Sequence, residues 1–347
     1  MTPTVRRLGI LLVLGSALGT LVAKEKESGP AGARHLGMSG ASAAIFLDAR
    51  RVVVASDEDN RLRVYDAETG GPALSAWDAS PGLDLGRGNP ECDLEGAARV
   101  GSRLYWIGSH GRNKDGKFRP NRHRFFATEV DLTPEGPRWR AVGKASSGLV
   151  SAMLADPGLA ALALAGASSQ APDSKGGLSI EALAAGPAGS LWIGFRGPLS
   201  KGRAILVPLQ NPDRVLEGHT PRFGPPTLLD LGGRGLRDMA WTGSEWILVA
   251  GATGGDQKGT RIYRWGGGVQ TPVALDLPGL KHLHVEAVAV PPERPVRRLL
   301  LCSDDSHQDT QGTPSFRSRW VDLPAPIGGD RKDVPPGDPA TPQSRRP

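Results

Sequence analysis

Two carboxylates two positions apart, in Asp93-Leu94-Glu95-Gly96-Ala97, stand just ahead of an apolar run, and partial copies of this pentapeptide recur along the chain. The copies are Ile180-Glu181-Ala182-Leu183-Ala184, Arg237-Asp238-Met239-Ala240-Trp241 and Val285-Glu286-Ala287-Val288-Ala289, with an acid-free version at Ser42-Ala43-Ala44-Ile45. On a strand, Asp93 and Glu95 point the same way. If the copies converge in space, their charges must be compensated, because two unit charges about 4 Å apart repel by about 4 kcal/mol at an effective dielectric near 20. A hard cation such as Ca²⁺, which takes carboxylate and carbonyl oxygens, would do this, and so would nearby arginines. Glu95, Glu181, Asp238 and Glu286 are therefore the candidate metal ligands.

The spacing around these acids says which elements must position them. Counting from the acidic position, the thirteenth residue ends an apolar run and the fifteenth is polar: Ser42 leads to Ala55 and Asp57, Glu95 to Gly108 and His110, Glu181 to Gly194 and Arg196, and Asp238 to Gly251 and Thr253. After Glu286 a longer turn through 291–295 brings Cys302 and Asp304-Asp305 to the same places. The runs are short and rich in β-branched and aromatic residues, and a third such run follows each polar loop, so each unit is a meander of three or four strands. Units repeating every ~40 to 50 residues in this way require an all-β fold, a β-propeller of five or six blades. A β-sandwich is the alternative, and five in-phase repeats argue against it. Residues 146–172 fit the template badly and are either a hidden sixth blade or an insertion containing helix.

In such a propeller the inner strand starts and the second strand ends share one channel mouth. Asp57, Arg196, Arg237, Asp304 and Asp305 join the acids there as candidate ligand-binding residues, and His110 is the candidate general base. A basic run over 112–124, six Lys or Arg against one Asp, begins at the same rim. Within it Arg112 and Lys114 are the candidate anion contacts, a solvated hairpin being the alternative. Gly-x-Ser-x-Gly is absent, and no Ser-His-Asp order can be assigned.

The chain has 347 residues, a formal net charge of +6, 47 Gly and 30 Pro. A propeller absorbs that length as one domain, expected over 40–323, because each blade packs only on its neighbours. Charges of both signs are interspersed and no nucleic-acid motif is present, so nucleic acid is not an expected partner. Residues 1–23 read as an export signal: Arg6-Arg7, then an apolar stretch, then Ala23 before the charged 24–27. A periplasmic or secreted monomer is expected, touching a membrane only through an uncleaved signal. Residues 24–39 read as a linker and 324–347 as a disordered Pro-rich tail. Cys92 and Cys302 either pair across a long loop or remain two buried thiols.

The segments 93–98, 106–113, 175–181, 194–199, 232–238 and 303–305 together resemble the bacterial family called domain of unknown function 3616, over about residues 40 to 323. The family is distantly similar to esterase-like phytase domains and other secreted calcium-dependent propellers. The resemblance implies an exported propeller without assigned activity. Two functions follow as expectations. One is a ligand-binding or interaction scaffold with a polar, Ca²⁺-compatible channel mouth, its partner a small anionic ligand or another exported protein. The other is a metal-dependent hydrolase of a phosphate ester, lactone or other ester.

Overall fold

A computed structural model describes residues 32–88, 90–254, 258–280, 282–306 and 312–325. The expected export signal, half of the expected linker and nearly all of the expected tail lie outside these residues. Within them, the alternating apolar runs fold into five sheets, the blades of a β-propeller. Blade 1 comprises Ala43–Phe46, Arg51–Ala55, Arg61–Asp66 and Ser75–Asp78; blade 2, Leu94–Val100, Arg103–Gly108, Phe125–Thr133 and Gly136–Ser146. Blade 3 comprises Ser179–Ala185, Leu191–Gly197, Ala204–Leu209 and Thr227–Leu229, and blade 4 Gly235–Trp241, Trp246–Gly251, Arg261–Trp265 and Val273–Ala274.

Blade 5 is assembled from both ends of the described chain. Its inner strands are Val285–Ala289, Arg298–Ser303 and Ser315–Asp322, and its fourth is the N-terminal strand Ala33–Leu36, antiparallel to the third with Ala33 opposite Ser318. Residues expected as linker thus supply the clasp that closes the ring. His35 fixes it from inside, with Nε2 2.8 Å from the Ser318 hydroxyl and its ring stacked on Phe316.

The five inner strands contact one another in sequence around the ring, and that of blade 5 meets that of blade 1. Each is the end strand of its sheet, so its unpaired edge faces a central channel where ring closure shields it from other chains. The core is divided accordingly into five apolar clusters, each between two neighbouring blades. The cluster between blades 2 and 3 also takes in the short helices Leu149–Ala155 and Leu164–Ser168, through Leu149, Val150, Met153 and Leu164. Residues 146–172 are therefore a helical insertion that caps one interface, and the described residues hold five blades. Cys92 and Cys302 are unpaired, buried in different interfaces, and burial pushes both thiols well above their ordinary range.

Candidate functional site at the channel mouth

One irregularity recurs at the start of four inner strands. Pairing steps from Leu94 opposite Gly108 to Gly96 opposite Ile107, leaving Glu95 as an extra, bulged residue. The same step leaves Glu181 between Ile180 and Ala182, Arg237 between Leu236 and Asp238, and Glu286 between Val285 and Ala287. A bulge turns its extra residue out of the regular alternation and re-aims the side chain. Three acids and one arginine are brought together in this way at one mouth of the channel.

The bulged position in blade 4 belongs to Arg237, so the expected placement of Asp238 is corrected. Asp238 lies one residue on, buried, and reaches sideways into blade 5. Its Oδ2 accepts the Val288 amide at 2.7 Å and its Oδ1 the Met239 amide at 2.7 Å. Burial raises its carboxyl well above the usual range, against the opposing pull of those two amides. It staples two blades and is not available to a metal.

Around the bulged residues the charges sort into a paired half and an open half. In the paired half, Arg237 Nη1 lies 2.7 Å from Glu286 Oε1 and 3.3 Å from Glu181 Oε2. Arg196 Nη1 lies 3.0 Å from Glu181 Oε1, and its Nη2 2.9 Å from Asp173. The Ser179 hydroxyl donates to Glu181 as well. Glu286 is still raised to about 7, by burial ahead of the opposing Arg237 charge.

The open half is built from blades 1 and 2. One carboxylate oxygen from each of Asp57, Asp93 and Glu95 lies within 4.8 Å of the others. Asp93, held at φ 54° in the left-handed region that Asp tolerates, is ion-paired to Arg122 Nη1 at 2.8 Å. Its carboxyl is nonetheless raised to about 7, burial outweighing Arg122 and a hydrogen bond from Ser109. Asp57 is raised by burial and then by Asp304. Glu95 has no hydrogen bond or ion pair among the described residues. It keeps some accessible surface facing the channel, yet it sits deep in the ring, and burial followed by the charges of Glu181, Asp93, Asp57 and Glu286 raises it well above the usual range. Six carboxylates here, with Asp304, face three guanidinium groups, from Arg122, Arg196 and Arg237. A groove of about 570 Å³ between blades 1 and 2, lined in part by Glu58, Asp59, Asp78 and Glu91, leads from solvent to Asp57 and Asp93.

Several expected site residues are placed elsewhere. His110 is almost fully buried at φ 53°, its Nδ1 2.9 Å from the Gly108 carbonyl and its ring edge-on to His123. Burial, then His123, lowers it to about 3, so it is neutral and sealed from solvent at neutral pH. Arg112 donates to the Ser168 and Gly116 carbonyls and shapes its own loop, while Lys114 is exposed. Asp305 is occupied by Arg317, at 2.6 and 2.9 Å, and by the Ser303 hydroxyl. Arg122 is the mouth cation that the sequence did not single out: its run contains six cations and nothing local marks the one that turns inward.

The model of the family described as "Protein of unknown function (DUF3616)" matches residues 139–287, within the stretch whose motifs carry the same resemblance. No curated protein matches the chain. Among solved structures, the chain is similar to glutaminyl cyclase of Myxococcus xanthus, at 12% identity and TM-score 0.43 over 84% of this chain and 95% of that one. It is similar to the PQQ-bound aldose sugar dehydrogenase of Streptomyces coelicolor, at 14% identity and TM-score 0.42 over 84% and 98%. It is also similar to the Malassezia sympodialis allergen Mala s 1, at 10% identity and TM-score 0.48 over 84% and 95%. At such low identity and score, nothing of those proteins' chemistry transfers.

Proposed function

We propose that this propeller is a ligand-binding scaffold whose channel mouth holds a hard divalent cation, Ca²⁺ by the chemistry of its donors, between Asp57, Asp93 and Glu95. The observation that carries the proposal is the convergence of these three carboxylates within 4.8 Å, with Glu95 paired to no cation among the described residues. Ca²⁺ takes six to eight oxygens at about 2.3–2.6 Å and accepts irregular geometry. Three carboxylates from two adjacent blades supply part of such a shell and leave coordination positions toward the channel for water or for an oxygen of the ligand. With Arg196 and Arg237 on the opposite wall, the mouth then favours a small anionic ligand. The protein itself is an exported one on this proposal, in keeping with the leader-like residues 1–23.

A hydrolytic role has less support. Arg112 and Lys114 do not converge on the mouth, and His110 is buried away from solvent with its basicity suppressed. The test is elemental analysis of the purified protein together with thermal melts in Ca²⁺ and in chelator. Bound calcium and a higher melting temperature in Ca²⁺ are expected. No bound metal and identical melts would refute the cation site, and turnover of a phosphate ester or lactone abolished by chelator would replace the scaffold with the hydrolase.

A further inference from the structure

The opposite half of the channel is a different environment. It forms a cavity of about 460 Å³ lined by all five inner strands, with Ala44, Ala97, Ala184, Ala240 and Val288 contributing one small side chain from each blade. That volume lies within the usual range of small-molecule pockets. The unpaired strand edges add backbone amides and carbonyls between the methyl groups. No Asp or Glu lines this cavity among the described residues, but two arginines do, Arg99 and Arg294. Their contacts are to carbonyls alone: Arg99 to Phe46, Leu47 and Gly101, Arg294 to Pro291 and Glu293. Neither forms an ion pair with a carboxylate among the described residues, and both are exposed at the rim, where their charge is open to a ligand.

The geometry points to a second ligand site at this lower mouth, for a small organic carboxylate with a short apolar chain. The chain lies among the alanine methyls, and the carboxylate at the rim meets Arg99 and Arg294, where a charge-assisted hydrogen bond is worth more than a neutral one. Charge complementarity selects this occupant: a neutral apolar molecule leaves the rim arginines unpaired, and an organic cation is repelled by them. The site shares no residue with the cation cluster at the other mouth.

Octanoate is the probe, titrated calorimetrically into the full chain in chelator, with octylammonium as the control of opposite charge. Saturable binding of octanoate and none of octylammonium is expected. Arg294→Gln, which disturbs only its own turn, should weaken octanoate about tenfold. Ala240→Leu, which narrows the lumen, should abolish binding while the melting temperature is retained. No octanoate binding, equal binding of octylammonium, or an affinity unchanged in Arg294→Gln would overturn the site. Because Glu95→Gln should leave octanoate binding intact, failure here is separable from failure of the cation site at the upper mouth.

Discussion

The two mouths of the channel are made by the same five strands and differ in how regular those strands are. At the upper mouth a bulge in four blades expels one residue each, and Glu95, Glu181, Arg237 and Glu286 meet with Asp57, Asp93 and Asp304. At the lower mouth the ladders run without a break, each blade contributes a small apolar side chain to the lining, and the charged lining groups among the described residues are two arginines bound to carbonyls. Regular pairing keeps side chains in the interfaces between blades, where they stabilise the ring. Irregular pairing places side chains in the lumen, where they can act on a ligand.

If that contrast is correct, substitutions should separate the two ends by stability. The largest effect belongs to Glu181→Ala, which strips the shared carboxylate from Arg196 and Arg237 in a buried network. Breaking a buried pair from one side costs roughly 3 kcal/mol, read as a shift of the urea midpoint. Asp238→Ala should cost about 2 kcal/mol by the same measurement, since it leaves the Val288 amide buried without its acceptor. Losses near zero in both variants would mean that the mouth contributes nothing to holding the blades.

The carboxylates that burial holds above their ordinary range, one in each half of the upper mouth, should behave in the opposite sense. Asp93 and Glu286 rise from 3.8 and 4.5 to about 7 on folding, chiefly through burial. The native chain therefore holds protons that the unfolded chain releases, and stability is full below about pH 4 and is lost as pH rises through about 7. In chelator the melting temperature should fall across that window, and Ca²⁺ should restore it near neutrality while doing little at acid pH. Glu95→Gln removes a like charge and should stabilise the metal-free protein by about 1 kcal/mol, with a shallower pH dependence. A metal-free protein that gains stability from acid to neutral pH would contradict the uncompensated cluster. The smallest effect is expected at the lower mouth, where Arg294→Gln should change stability by less than about 0.5 kcal/mol while weakening octanoate. A destabilisation there as large as that of Glu181→Ala would erase the distinction between the two ends.

The propeller was legible because its repeat is carried by composition and spacing together: a small or acidic start, an apolar run, then a polar loop. The convergence of Glu95, Glu181 and Glu286 on one mouth followed from the same repeat. The assignment of Asp238 failed because a bulge adds a residue to one strand without altering the apolar pattern, and a count of thirteen residues fits Asp238 to Gly251 when the pairing sets Arg237 apart. The helical insertion stayed ambiguous because Leu149, Val150 and Met153 are apolar at spacings that a short strand and one turn of helix share. The clasp was hidden because Ala33–Leu36 is too short and mixed to announce a strand, and it is recruited by distant partners, Ser315–Asp322 on one side and Gly71–Pro72 on the other. Asp57 and Asp93 were both seen at the rim, but their closeness to Glu95 depends on how blades 1 and 2 pack, which no local pattern contains.

The central claim is an uncompensated carboxylate cluster built to receive a cation, and titrating Ca²⁺ into chelator-treated protein near neutral pH, in two buffers of different ionisation enthalpy, tests it most directly. Saturable binding of one ion with release of protons is expected, because the cation must displace those that Asp93, raised to about 7, still holds, and Glu95→Gln should lose both the binding and the release. No binding by the native chain, or equal binding by Glu95→Gln, would contradict it.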